Sequence, residues 1–324
     1  MTIEPELLSV VLTVTPALTP NPSPVLEERQ IRGGENGYGR AAHAVLLDAV
    51  REHDPALAES LHAGSGLRPF TVSDLIGYSP KRGPSARSGQ GPSARSGQSL
   101  EAGRKYSLRF TAMTGPVAQA IRWAVSSGQL AVGSAIRLTE SEFVVEAVDS
   151  GLQGLNGGSQ LDDPKSKIEN SKSRWPAAAT YESLSAPWLL GRAQPGHRLA
   201  LQFASPTTFK SQEKHVPVPL PAWVFGSLLE KWNAFAPVAL PPEARRFAEE
   251  CLALSGYKLQ TRPVPTKEGG LRMGAVGVAY YTAINRDRYW LSVMNLLADF
   301  ALFAGIGAGT TMGLGQCRRL EVGS

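Results

Sequence analysis

"AGIGAGTTMGLGQCRRL" occupies residues 304–320, and its reading decides both the fold and the class of ligand. Glycines stand at Gly305, Gly307, Gly309, Gly313 and Gly315, after a long apolar helix pattern (286–305) and just ahead of Arg318 and Arg319. A dinucleotide fingerprint follows a strand and opens a helix, and a P-loop needs Gly-Lys-Ser/Thr before its helix. Here the order is helix, loop, strand (314–322), and no lysine lies between Gly305 and Gly315. Both nucleotide readings are therefore poor. What remains is a loop whose glycines permit positive φ and the close approach of another backbone. Its peptide N–H groups, the hydroxyls of Thr310 and Thr311 and the two arginines suit a nucleic-acid backbone. The competing reading is a tight, buried crossover that needs glycine for packing alone.

Outward from the loop, the apolar periodicity alternates between strand and helix types. Toward the N-terminus from the loop, strand patterns at 197–206, 257–264 and 271–283 flank a helix at 220–237 and a short helix within 242–253. The first half has the same order: a strand at 7–16, helices at 39–54 and 55–62, strands at "RPFTVSDL" and 104–113, a helix at 115–128 and strand-like alternation over 134–148. Asp54 ahead of Pro55 is a good N-cap for the second of those helices. Each half thus reads β-α-β-β-α-β, the split unit of a ferredoxin-like (RRM-like) domain. The expected class is α+β, with domains at 1–150 and 186–324 joined by a flexible segment at 151–185, where "DSGLQGLNGGSQLDDPKSKIENSKS" (149–173) is polar and rich in glycine. An exact duplication, "GPSARSGQ" at 83–90 and again at 91–98, is too poor in apolar residues to bury a core and reads as a surface loop.

Composition narrows the function. With 324 residues and 42% hydrophobic content the chain can bury a real core. It contains no run of 18 apolar residues, so no membrane span is expected. The start "MTIEPELLSV" has no secretion-signal pattern, and two cysteines, Cys251 and Cys317, make no disulfide framework, so a reducing cytoplasm is expected. The net charge of +5 is modest, but Lys81, Arg82, Arg87, Arg95, Arg104, Lys105 and Arg109 face only Glu101 as an acid over 81–110. Such a run is either a polyanion footprint or a solvated basic loop.

Three stretches carry a family resemblance: the loop itself, "SPTTFK" followed by "VPLPAWVFGSLLEKWNAF", and "HAVLLDAVREHDPALAESLHAGSGLRPFTVSDL". The loop is similar to the signature of the RAMP superfamily, and the three together resemble the CRISPR-associated endoribonucleases that cut precursor CRISPR RNA within each repeat. The likeness runs from about 40 to 320, interrupted at 81–103 and 150–175. It implies two tandem ferredoxin-like domains of the RAMP type, and metal-independent cleavage by the neighbouring 2′-hydroxyl that leaves 2′,3′-cyclic phosphate and 5′-hydroxyl ends. It also implies CRISPR repeat RNA as partner, with subunits of a CRISPR effector complex as further partners, and no cofactor. The catalytic histidine it implies is His62, with Arg68 six positions later as an assisting basic residue. A tyrosine used by some members is replaced by Leu47, which leaves that role to another group.

The residues themselves agree with such chemistry. Transesterification needs a proton acceptor, a proton donor and positive charge near the phosphate, for which histidine and arginine are suited. His62 ends a helix before the turn "AGSG", whereas His43 lies within a helix, with Arg40 one turn earlier and Tyr38 nearby. The proton donor is open between His43 and Arg68. For RNA contact the candidates are the loop residues Gly305, Gly307, Gly309, Thr310, Thr311, Gly313 and Gly315, then Arg318, Arg319, Arg40, Lys210 and the basic stretch through Arg109. No cluster of acids or histidines at metal-site spacing occurs, so no metal is expected. Two other classes stand against the nuclease: a non-catalytic RNA-binding subunit of a CRISPR effector complex, and a small-molecule enzyme on the same fold.

Overall fold

A computed structural model of the chain describes residues 4–17, 37–77, 100–151 and 175–322, apart from residues 65, 102, 192, 213 and 266–269. The duplicated GPSARSGQ segment, Lys81, Arg82, Arg87, Arg95 and most of the expected linker lie outside the described residues.

The N-terminal unit opens with β1 (Leu7–Pro16), followed by α1 (Gly39–His53), α2 (Pro55–Ala63), β2 (Phe70–Val72), β3 (Tyr106–Ala112), α3 (Gly115–Ser126), β4 (Ala135–Leu138) and β5 (Ser141–Asp149). Its sheet has the order β2-β3-β1-β5-β4. Counting β5 as the fourth strand of the unit, this is the ferredoxin-like order, with β4 added as a hairpin at the edge. The stretch 134–148, which reads as one strand, is therefore two strands that turn at Thr139, whose φ is positive at 58°. Alternation puts Leu8, Val10, Leu12 and Val14 of β1 with Leu108 and Phe110 of β3 into one core. On α1, Ala42, Leu46, Ala49 and Val50 form the buried stripe over it, at spacings of four, three and one. As the sequence predicts, Asp54 caps α2: its carboxylate accepts the Leu57 N–H at 2.9 Å.

Residues 177–189, the end of the segment expected to be a linker, are ordered as β6 (Ala177–Ala179) and α4 (Tyr181–Leu189). β6 pairs with Leu7–Ser9 at the end of β1 that β5 does not reach. The C-terminal unit follows as β7 (Arg198–Thr207), β8 (Phe209–Ser211), β9 (Lys214–Val216), α5 (Pro221–Phe235), α6 (Glu243–Cys251), β10 (Leu252–Pro265), β11 (Leu271–Ala283), α7 (Arg288–Ala304) and β12 (Cys317–Leu320). Its sheet order is β10-β11-β7-β12, the ferredoxin-like order again, with β8 and β9 as a separate two-stranded ribbon. The chain is two tandem ferredoxin-like domains, as the periodicity predicts.

The two units are locked through one buried cation. Arg109 sits on the face of β3 opposite the first core, and its guanidinium donates to Ser9 Oγ (2.9 Å), Gln316 Oε1 (2.5 Å) and the Leu302 carbonyl at the end of α7. Trp175 covers it at 4.9 Å, and burial lowers its pKa to about 9. Placing Arg109 in a basic RNA-facing stretch is thus corrected: it is an interior interdomain pin. No described helix is long and apolar enough to cross a membrane.

Candidate active site at the seam between the domains

The glycine loop crosses directly beneath α1. Gly313 forms a parallel bridge with Ser73 just beyond β2, and a Cβ on Gly39, in the first turn of α1, would lie 2.3 Å from the Met312 carbonyl. Asp74 closes the third side. Its Oδ1 accepts the Tyr38 N–H at 2.7 Å and the Leu75 N–H at 2.8 Å, so it holds the start of α1 against the chain after β2. Burial raises the pKa of that carboxyl, and the backbone N–H donors oppose the rise.

His43 lies one turn into α1, on the side that meets this loop. Its Nδ1 is 2.9 Å from the Thr311 carbonyl. A carbonyl only accepts, so Nδ1 carries the proton and Nε2 holds the free lone pair of the neutral ring. The ring lies 5.4 Å from that of Phe70, centroid to centroid. Burial pulls the imidazole pKa below its usual value; the Thr311 bond opposes this, and the nearby Arg68 and His62 add to it. The three groups therefore sit within electrostatic reach of one another.

His62 is exposed in the last turn of α2, and its carbonyl accepts from Arg68 Nη2 at 3.1 Å. That bond holds the guanidinium beside the helix end. Arg68 Nη1 is buried without a hydrogen-bond partner among the described residues, a donor with no acceptor from the protein. Arg40, three residues before His43, is half-buried on the same side of α1.

The loop differs from what its composition suggests. All five glycines have positive φ, from 59° at Gly305 to 92° at Gly313. Their close approaches are to the protein: a Cβ on Gly307 would meet the Thr208 carbonyl at 2.5 Å, and one on Gly315 the Ile306 carbonyl at 2.2 Å. The amides of Gly305, Ile306, Gly307, Ala308, Met312, Leu314, Gly315 and Gln316 donate within the chain, to Ala301, Gly315, Ser227, Thr208, Gly309, Gly309, Pro206 and Ser205 in that order. These eight amides are thus spent within the protein, and packing accounts for the close approaches at Gly307 and Gly315.

The two arginines after the loop are also engaged. Arg319 pairs with Asp299 at 3.0 Å, donates to Asn295 at 2.7 Å and lies over the Trp188 ring. Arg318 donates to Gln202 at 2.7 Å and covers Trp175 at 4.9 Å. Lys210 is exposed on β8, opposite His215 on β9, and close enough, with Arg272, to lower the His215 pKa after burial has done so. Two residues before Lys210, the Thr208 carbonyl accepts from Ala308, so this basic ribbon begins at the glycine loop. Among the described residues, no three His, Cys, Asp or Glu side chains come together as metal ligands.

Sequence reasoning passed over Lys231. It is buried on α5 and donates to the carbonyls of Ala304 (2.7 Å) and Gly305 (3.1 Å) and to Thr310 Oγ1 (3.3 Å). The available signal was its spacing: Val224, Leu228 and Lys231 fall on one helical stripe, so the lysine points inward.

Residues 201–317 match the model of the CRISPR-associated endoribonuclease Cas6 family, the family that the three motifs resemble. The match spans the C-terminal unit, while the histidine-bearing segment lies outside it. No curated protein sequence matches the chain. Solved structures match it end to end. A Cas6 product complex has a TM-score of 0.64 at 22% identity, covering 97% of this chain and 99% of that one. Cas6 of Thermus thermophilus has a TM-score of 0.61 at 20% identity, covering 98% and 100%. A Cas6-related protein from Pyrococcus furiosus has a TM-score of 0.54 at 12% identity, again covering 98% and 100%.

Proposed function

We propose that the chain is a CRISPR RNA-processing endoribonuclease that cuts the repeat without a metal, by attack of the 2′-hydroxyl on the adjacent phosphate. The observation that carries this reading is the gathering of His43, His62 and Arg68 at the seam where a Cas6-matching C-terminal unit meets α1. With its pKa lowered by burial and then by Arg68 and His62 nearby, His43 is suited to accept the 2′-hydroxyl proton at Nε2. As the 2′-oxygen bonds to phosphorus, the bond from phosphorus to the 5′-oxygen breaks, and His62 supplies the proton that this leaving oxygen needs. Arg68, with an unused donor, offsets the charge that grows on the phosphate oxygens. Products are a 2′,3′-cyclic phosphate and a 5′-hydroxyl. Arg40 on α1, and Lys210 and His215 on the ribbon with Arg272 of β11 near them, supply the basic path for the RNA, with the loop itself shaping the seam.

Incubation with the labelled repeat RNA in EDTA tests this, beside the same RNA carrying one 2′-deoxy nucleotide at the cut. Cleavage at one position, abolished by the 2′-deoxy change and ending in a cyclic phosphate, is the expected result. Tight binding with no cleavage overturns it and leaves an RNA-holding subunit. Loss of activity in EDTA, restored by a divalent ion, overturns the metal-free chemistry alone.

A further inference from the structure

The Lys231 side chain is a buried group beside the loop that the proposed reaction does not use. Its ammonium is buried below the loop and spends its three N–H donors on Ala304, Gly305 and Thr310. The first two acceptors are carbonyls at the C-terminal end of α7, where a cation is favoured by the helix dipole. The third belongs to the residue directly before Thr311, whose carbonyl holds His43 Nδ1. Burial costs this lysine much of its charge preference, lowering its pKa to about 7 against the opposing pull of Glu230 and Cys317. A leucine or methionine at this place on the α5 stripe would pack without that cost but would hold neither carbonyl nor Thr310.

We propose that Lys231 is a positioning residue: by tying Thr310 to the end of α7, it sets the Thr311 carbonyl that keeps His43 in its Nδ1–H tautomer. The tie matters because Gly307, Gly309 and Gly313 around Thr310 all have positive φ, and a segment of such glycines has many alternative conformations when released. With the carbonyl turned away, His43 is free to carry its proton on Nε2, and the ring then cannot accept the 2′-hydroxyl proton at that nitrogen. This inference rests on the reading under Proposed function for its catalytic consequence, but the tautomer itself does not.

The test uses Lys231→Met, Thr310→Val and Thr310→Ser in the full chain, with ¹⁵N-histidine labelling and His43 assigned by its absence in His43→Gln. Thr310→Val removes one bond while keeping the volume of the side chain, so it remains informative where Lys231→Met does not fold. In the wild type and in Thr310→Ser, the nitrogen shifts of His43 show the Nδ1–H form. In Lys231→Met and Thr310→Val the Nε2–H form rises, and single-turnover cleavage falls about tenfold to a hundredfold, the scale of a misplaced catalytic group. Affinity for the 2′-deoxy repeat RNA stays within about twofold, since displacement of one ring leaves the binding surface intact. An unchanged His43 tautomer in the folded variants overturns the proposal, whether or not the rate falls. If the wild type cleaves no repeat RNA, the reading under Proposed function fails, and the tautomer alone decides this one.

Discussion

The segment from Gly39 to Arg68 and the loop from Gly305 to Gln316 meet at one seam, yet they are built on opposite plans. The first leaves its polar groups unspent: His62 is exposed, His43 has a lone pair to use, and Arg68 has a donor without an acceptor. The second spends nearly everything internally, with amides bonded within the chain and glycines pressed against carbonyls. In the proposed reaction the chemistry belongs to the side that looks like an ordinary amphipathic helix pair. The side rich in glycine is the more internally bonded of the two. A loop bonded largely within the chain can hold a histidine still.

Removing the spare groups gives the largest effect. His43→Ala and His62→Ala should each slow single-turnover cleavage by about 10²- to 10⁴-fold, the usual contribution of a proton-transfer group, with thermal stability little changed. Equal rates in wild type and both variants would erase the contrast between the two sides. Next in size is a test of rigidity. Gly315→Ala brings a Cβ to 2.2 Å from the Ile306 carbonyl at a φ of 66°, and should cost at least about 2 kcal/mol in urea denaturation. Gly66→Ala, on the histidine side with open space around it, should fall within about 0.5 kcal/mol of wild type. If the two glycines respond alike, the loop is not the rigid partner.

Smaller still is the loss of the cap that starts α2. Asp54→Ala removes the acceptor for the Leu57 N–H and should cost about 1 kcal/mol, read by chemical denaturation. The smallest effect is a slope in stability with pH. His43 has a folded pKa below its unfolded one, so between the two values the unfolded chain binds more protons. Stability should then fall as pH drops from about 6.5 toward the folded pKa and level off below it. His43→Asn should flatten that part of the curve, while a slope left intact would place His43 in a more solvated setting than the seam provides.

Much of this could be read from the sequence because it follows from local periodicity. The alternation in β1 and β3, the stripe on α1 and the Asp54 cap depend on neighbours a few residues away, so the strands, the helices and the tandem ferredoxin-like order came out of the pattern. His43 and His62 stood out as candidates because histidine is scarce and each sits at a helix position that can be counted. The hairpin of β4 and β5 was lost because the turn at Thr139 carries no glycine or proline to announce it. β6 was lost because "AAA" has no pattern, and only its pairing with Leu7–Ser9 makes it a strand.

Arg109, Lys231 and the glycine loop mark where the sequence stops. Ser107, Arg109 and Thr111 alternate with apolar residues on β3, which by itself reads as a face turned to water; the end of α7 covers that face and makes Arg109 an interior pin. The composition of 304–320 states that the backbone there takes positive φ and that something comes very close. It cannot state what. Local sequence determines conformational freedom and periodicity, because those depend on each residue's own sterics and its near neighbours. That the Thr208 carbonyl approaches Gly307 and Gly39 of α1 approaches Gly313 is set by contacts between residues about a hundred to nearly three hundred positions apart, and only the tertiary structure decided it.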